Sequence, residues 1–461
     1  MKFSLVAVDT YQDPTKKLFT YSIPDNMQNL AQEGAKVKVP FGRRTVEGYI
    51  WKLTASKPSF PVKPLQEVKS QAFTPSQVQL AHWMAGYHLG SPLDCLKCQI
   101  SEKGEREPTA PLKEVTTLLL VPFASQVKIR AAVERQKGGK LLVGSRAAVF
   151  AQLPNLKKIV VEEPESWNYK DERAPYYHAA LVAKKRAQIE NIKLELRPFI
   201  PIVEAYAGGT KTLPKIPSIR IVDLKMEKSA GNFTLLSQEL KNTLKRTNPT
   251  FIFSSSKVLQ NSIREELEEQ GISKSSYTLA GPEIFGWEGL EVERIFWIDA
   301  DTLLNLPDFR SHEKLISTAV KLSHLAKKIL TIQTQFSNHP IFNNLTKGKM
   351  ASFYQEELEN RKSLSYPPFS TLVMLSFQSK SAVKTTQEAE KLAEMLTQLK
   401  DGKVEVSPPY EPYQGKPGIF QLNLALKIKS QEENKVTELL GKIANLLPAG
   451  WKADVDPESL L

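Results

Sequence analysis

The sequence predicts an α/β multidomain protein: a small β-rich N-terminal domain, two parallel-sheet lobes and an α+β C-terminal domain. Three patterns carry this. Residues 3–53 cluster β-formers between Pro, Gly and Asn; residues 116–301 alternate short apolar runs with helical stretches; residues 371–455 run strand, helix, strand, helix, strand. A chain of 461 residues exceeds one hydrophobic core and fits about two to four domains. The expected divisions are residues 1–100, a linker at 101–114, lobes at 115–230 and 231–350, and a closing domain at 351–461.

In the head, FSLVAVD (3–9), LFTYSI (18–23), AKVKVPF (35–41) and VEGYIWKL (46–53) read as strands. Residues 75–90 then space apolar positions helically, with Pro75 near the start and Gly90 at the end. SEKGEREPTAPLKE (101–114) is polar and holds two prolines, as a linker does. In the first lobe, TTLLLVPF (116–123), KLLVGS (140–145) and KKIVVEE (157–163) are short apolar strands, with helices near 125–137 and 178–191. Such alternation is the mark of a parallel sheet buried on both faces. The second lobe repeats it: a helix at 235–246, FIFSSS (251–256), a helix at 257–270 and RIFWIDAD (294–301). The tail follows with strands at 371–378, 419–428 and 451–455 and helices at 381–400 and 431–446.

Net charge is +12: residues 1–100 hold twelve Lys/Arg against seven Asp/Glu, residues 351–461 thirteen against fifteen. A positive surplus over the first three quarters suits a polyanionic partner, nucleic acid first among them. No apolar run reaches the roughly 18 residues of a membrane span. The start, MKFSLVAVDTYQD, reads as a strand rather than a signal peptide, and the expected location is cytoplasmic. Two cysteines in the whole chain exclude a disulfide framework. Cys95 and Cys98 form a lone C-x-x-C with only His82 or His88 as further candidate ligands, short of a zinc set. Free thiols are expected.

The head carries the residue types of a nucleic-acid site. Gly42 before Arg43 and Arg44 brings backbone N–H groups and two guanidinium forks to a phosphate. Phe19 offers a face for a terminal base; Tyr21 reads as core.

Several strings, in shared order, resemble the PriA family of bacterial replication-restart helicases: LFTYSIP (18–24), KVKVPFGRR (36–44), GSRAAVF (144–150), VEEPESWNYKDERAPYYH (161–178), DADTLLNLPDFR (299–310), RKSLSYPPF (361–369) and DVDPES (454–459). The resemblance implies two reduced RecA-like lobes behind a domain that binds the 3′ end of a nascent strand, with Phe19, Gly42 and Lys63 at the pocket positions. Thr20 stands where the family has an aspartate. A hydroxyl accepts a hydrogen bond more weakly than a carboxylate, so 3′-end recognition is expected to be weaker.

The motor of a superfamily 2 helicase is not legible. A P-loop needs G-x-x-x-x-G-K-[ST], and two near misses fail: Gly138-Gly139-Lys140 is followed by Leu141, and in Gly208-Gly209-Thr210-Lys211-Thr212 a threonine replaces the second glycine. Where the resemblance would place the loop, only 101–114 stands. The DEEH box reads Glu162-Glu163-Pro164-Glu165, whose acidic pair is read as solvated rather than metal-binding. Pro198-Phe199-Ile200 replaces the coupling motif. The arginine-finger motif falls at VKLSHLAKK (320–328), with Ser323 and Ala326 at the arginine positions. The winged-helix and eight-cysteine zinc modules have no counterpart. No ATP or zinc cofactor, and no catalysed reaction, is expected.

An aromatic loop is retained. Trp167, Tyr169, Lys170 and Arg173 interleave rings and cations as a single strand favours, while Tyr176 and Tyr177 suit packing equally. The expected protein is a DNA-binding pseudo-helicase that recognises fork-like or single-stranded DNA, with single-strand-binding protein and primosome components as further expected partners. The alternatives are a residual ATP-dependent 3′–5′ helicase and a protein-interaction scaffold.

Overall fold

The computed structural model describes residues 2–9, 18–100, 106–246, 250–399 and 402–461. Four sheets follow one another along the chain. They group into two compact units: Met1–Pro122, Arg130–Arg197 and Phe369–Leu460 form the first, and Phe123–Ile129, Pro198–Pro368 and Leu461 the second.

The first unit opens with an antiparallel sheet of β1 (Lys2–Val8), β2 (Phe19–Ile23), β3 (Ala35–Phe41), β4 (Arg44–Thr54) and β5 (Glu67–Gln71), in the order β2-β1-β4-β3-β5. Side-chain alternation along these strands serves two cores. Val6, Tyr21, Ile23, Val37, Val39 and Ile50 make one. Ala7, Tyr49 and Trp51 join the other beneath α1 (Pro75–His88) and α2 (Pro92–Lys97). Helix α1 starts with a capping box: Gln77 N–H donates to Thr74 Oγ1 (3.3 Å) and Thr74 N–H to Gln77 Oε1 (2.9 Å), with Pro75 at the first helical position. It ends at Leu89, held left-handed at φ 54°.

The second sheet takes β6 (Arg106–Pro108), β7 (Thr117–Leu120), β8 (Leu141–Gly144), β9 (Lys158–Glu162) and β10 (Lys193–Arg197) in the order β10-β9-β7-β8-β6, parallel except for β6. Helices α3 (Ala124–Gln136) and α4 (Ala179–Glu190) lie between its strands in sequence. Three residues of the stretch read as a linker, Arg106–Pro108, are thus the antiparallel edge of this sheet, while residues 101–105 of that stretch lie outside the described residues.

The second unit holds an all-parallel sheet of β11 (Ile219–Asp223), β12 (Thr250–Phe253), β13 (Tyr277–Ala280), β14 (Val292–Trp297) and β15 (Ala326–Thr334), ordered β11-β15-β14-β12-β13. Strand β15 escaped the sequence reading because it is central yet polar: Thr331, Gln333 and Thr334 are buried. Gln333 repays burial by accepting from Ser237 N–H (3.1 Å) and donating to Leu235 O (2.8 Å). The unread strands β5 and β10 are charged edges, EVKSQ and KLELR, with no apolar run to find.

The last sheet returns to the first unit. β16 (Thr371–Ser379), β17 (Val404–Val406), β18 (Phe420–Ile428) and β19 (Lys452–Val455) run antiparallel in the order β17-β18-β16-β19. Val373, Leu375, Leu424 and Leu426 pack one face onto helices Ala382–Thr397 and Glu433–Leu446. The overall class is therefore as expected: antiparallel head, two parallel sheets, antiparallel tail.

Candidate nucleic-acid interface

In the head, three residues spread over 44 positions of the chain converge because β2 is an edge strand. The Phe19 ring meets Phe41 edge-on, centroids 5.0 Å apart, at the mouth of the β3–β4 hairpin. Gly42, at φ 59°, forms the hairpin's tip with nothing within 4 Å of where a Cβ would stand. Lys63 Nζ reaches Gly42 O at 3.5 Å. Arg43, Arg44 and Lys63 are exposed and Phe19 is half-buried. The half-buried Phe19 ring and the exposed Arg43, Arg44 and Lys63 thus gather around one hairpin tip. Phe41 was missed by sequence reasoning, although its place before Gly42 in the hairpin was the available signal.

Ser22 N–H donates to Lys63 O (3.1 Å) and Leu65 N–H to Ser22 O (3.0 Å), so alternate residues of β2 turn their backbone groups away from β1. Thr20 shares that parity. Its main chain faces the sheet edge, while its side chain lies on the face opposite Phe19. Tyr21 is core, 4% exposed, donating to Pro40 O at 3.2 Å; burial raises its phenol above the ordinary range.

The aromatic loop is not one surface. Trp167, half-buried, and Arg173, whose side chain is 77% exposed, are accessible from solvent. Tyr169 is not: its ring is fully buried and its hydroxyl donates to Glu162 O at 2.8 Å, so no base can reach it. Burial also lifts its phenol, aided by Glu163 and Glu162. Nor is Lys170. Its ammonium contacts Asp454 Oδ1 (2.7 Å) and donates to Val455 O and Asp456 O, both at 3.0 Å. Three donors with three acceptors leave nothing for a phosphate. Both residues therefore move from the DNA-binding set to the loop's anchorage. Arg146 of the GSRAAVF string completes it, donating to Lys170 O and pairing with Asp171 at 3.4 Å.

His88 is buried beside this anchorage, its imidazole pulled down to about 3 by burial, then by Lys170 and His178. It stays neutral through the physiological range. Cys95 and Cys98 are not joined in a disulfide, and His82 bonds Trp51 O at 2.9 Å. Among the described residues no group of three or more His, Cys, Asp or Glu is arranged to hold a metal, and no helix is long and apolar enough to cross a membrane.

The motor positions have geometries of their own. A phosphate loop delivers its glycines from a strand into a helix N-terminus, where the amides are free. Here Gly138 (φ 68°) and Gly139 follow the end of α3, and Gly208 and Gly209 follow the helix Val203–Ala207. Both pairs sit at helix C-termini, which present carbonyls instead. Lys211 stays local, its ammonium 3.6 Å from the centre of the Tyr206 ring. Glu162 is not solvated as read: Arg130 (3.4 Å) and Arg197 (3.6 Å) flank its carboxylate. Ser323 is buried and donates to Val320 O at 2.8 Å, and Ala326 is buried at the start of β15.

Comparison with known proteins defines the class first. Residues 5–101 match the model of the 3′DNA-binding domain of PriA, so the β-rich head is a DNA-binding module. The matches beyond it reach most of the chain. It is 23% identical over 420 residues to the replication restart protein PriA of Bacillus subtilis, covering 67% of this chain and 52% of that protein. It is 21% identical over 440 residues to PriA of Synechocystis, covering 70% and 53%, and 29% identical over 209 residues to PriA of Borreliella burgdorferi, covering 44% and 31%. Beyond the head, the chain is thus similar to PriA proteins over about two thirds of its length, at 21–23% identity. It spans about half the length of the first two of these relatives. Among solved structures, S. cerevisiae Dbp5 bound to RNA and ADP BeF3 covers 62% of this chain and 91% of its own at 10% identity, with a TM-score of 0.33, too distant to bear on fold or function.

Proposed function

We propose that the chain binds fork-like DNA through a 3′-terminal nucleotide held in the head, in replication restart, and does so without hydrolysing ATP. The observation that carries the reading is the convergence of Phe19, Gly42 and Lys63 at one hairpin tip within the segment matching the 3′DNA-binding model. Phe19 would stack the terminal base, Arg43 and Arg44 would meet the phosphate beside Gly42, and Thr20 would offer its edge-facing backbone to the sugar. Trp167 and Arg173 would engage single strand near the first parallel sheet. The ATP-independent half is supported by both glycine pairs closing helices and by the short, glycine-free Val121–Phe123 connection from β7 to α3.

Fork binding measured by fluorescence anisotropy at several salt concentrations tests it. Forks with a free 3′ end should bind tighter than those with a blocked one, with a log–log salt slope near −0.9 per duplex phosphate neutralised. Phe19→Ala should abolish the preference for the free end, at a cost of about 5- to 150-fold for one stacked base. Arg43→Ala should weaken all forks alike and flatten the slope by about one. Equal affinity for free and blocked ends in the unaltered protein would refute 3′-end capture. ATP turnover stimulated by forks and removed by Glu163→Gln would overturn the ATP-independent half.

A further inference from the structure

The face of the C-terminal sheet turned away from its helices holds a cavity of about 160 Å³ lined by Tyr176, Met374, Ser376, Phe377, Gln378, Gln421, Lys452 and Asp454. Strand alternation builds it. Val373, Leu375 and Phe377 turn to the helices, so Met374, Ser376 and Gln378 turn to the other side. Register then sets Gln378 opposite Gln421, Ser376 opposite Lys452 and Met374 opposite Asp454. Tyr176 comes from the aromatic loop. Its φ of 52° is left-handed, a conformation costly for a bulky side chain. That backbone separates two consecutive rings: Tyr177 goes into the core against Phe150, while Tyr176, half-buried, lines the cavity.

The volume falls well below the roughly 300–1,000 Å³ of a drug-sized site and equals about five water molecules. It suits a single planar ring. The lining pairs one ammonium with one carboxylate, so an anion inside would face Asp454; a neutral polar ring meets no such penalty. The exposed Gln378 side chain makes no side-chain hydrogen bond among the described residues, and Gln421 spends an amide N–H on Asn423 Oδ1 at 3.0 Å, leaving its carbonyl as an acceptor. Donor and acceptor at the rim can match the edge of any base. Lys452 is exposed and forms no ion pair among the described residues, as a contact to a flanking phosphate requires.

We propose that this cavity captures one unstacked nucleobase of a single DNA strand, stacked on Tyr176, edge-bonded by Gln378 and Gln421, with its phosphate at Lys452. The inference rests on the DNA-binding reading above and adds a second contact on a different domain. The full chain, bound to a single-stranded oligothymidylate carrying one 5-iododeoxyuridine, is irradiated and the cross-linked peptide mapped by mass spectrometry. Cross-links at Tyr176 or Met374 are expected. The exposed-site double variant Gln378→Ala/Lys452→Ala, which removes one edge hydrogen bond and one phosphate contact, should bind the oligomer about 5- to 100-fold more weakly with unchanged melting, whereas Tyr176→Phe should keep the affinity. Normal fork and oligomer affinity with cross-links only elsewhere would overturn the cavity assignment while leaving the head's 3′-end capture standing. Loss of all DNA binding in the unaltered protein would remove both.

Discussion

Arg361→Met is expected to destabilise the second unit by about 3–5 kcal/mol, the usual cost of removing one partner from a buried ion cluster. Arg361 is 1% exposed, at the end of the helix Met350–Ser363. Its Nε contacts Glu357 at 2.8 Å, Nη2 contacts Glu313 at 3.0 Å, and Nη1 lies 3.4 Å from Glu204 and donates to Pro367 O at 3.3 Å. Arg310 shares Glu204 and Glu313. Two guanidinium groups thus face three carboxylates, Glu313 and Glu357 buried and Glu204 partly exposed. Without Arg361, Glu357 loses its arginine and Glu313 keeps one.

The cluster also predicts acid sensitivity. Burial pushes the Glu313 carboxyl up, but Arg310 and Arg361 together outweigh it, and the group ends below the ordinary carboxylate range. A folded-state value below the unfolded one gives stability that is present above the unfolded pKa and lost as pH falls through the folded value. The intact protein should therefore lose stability toward acid, and Arg361→Met should show a shallower acid limb. Chemical denaturation from neutral pH down to about pH 3, spanning the unfolded carboxylate range, checks both effects. An unchanged midpoint at neutral pH would show that Arg361 stabilises nothing.

Lys170→Met should have a comparable effect on the first unit, about 3–5 kcal/mol, and should be read locally. Among the described residues the ammonium is the one ion-pair partner of Asp454, and it bonds two backbone carbonyls of the segment Val455–Asp456. Burial already lifts the Asp454 carboxyl above its ordinary range, against the pull of Lys170; removing the lysine should drive it to protonate. Hydrogen exchange should quicken both in 166–177 and in 452–459. Lys170→Arg should not restore protection, because a planar fork cannot reproduce three radial donors. Tyr87→Phe, which removes the 2.6 Å bond to Asp456 Oδ2, should cost less, about 1–3 kcal/mol. Protection unchanged in Lys170→Met would exclude the anchoring role.

The strands that were legible are those whose burial is written locally. LVAV, LLLV and FIF are apolar because one or both faces are covered, and the 3.6-residue spacing of Val78, Ala81 and Met84 marks the buried side of α1. Charged edges such as KLELR, and the polar central strand ending Gln333-Thr334, were not legible, since their partners lie elsewhere in the chain. The site behaved the same way. Gly42, Arg43 and Arg44 announce a phosphate-facing turn by themselves, whereas Lys63 entered only through resemblance, and Phe41 joined it only when β2 was seen to run beside the hairpin.

The sequence by itself determined the order of the four sheets, the positive head, the lack of a P-loop signature and the family to look toward. Those properties reside in periodicity, composition and short strings. Only the tertiary structure decided which residues of the aromatic loop face outward. Tyr169 and Lys170 have the same composition signal as Trp167 and Arg173, yet one ring is sealed beneath Glu162 and the ammonium meets carbonyls 285 and 286 residues away. Whether a cation faces solvent or is spent inside depends on what the chain brings back to it, and a sequence window holds no record of that.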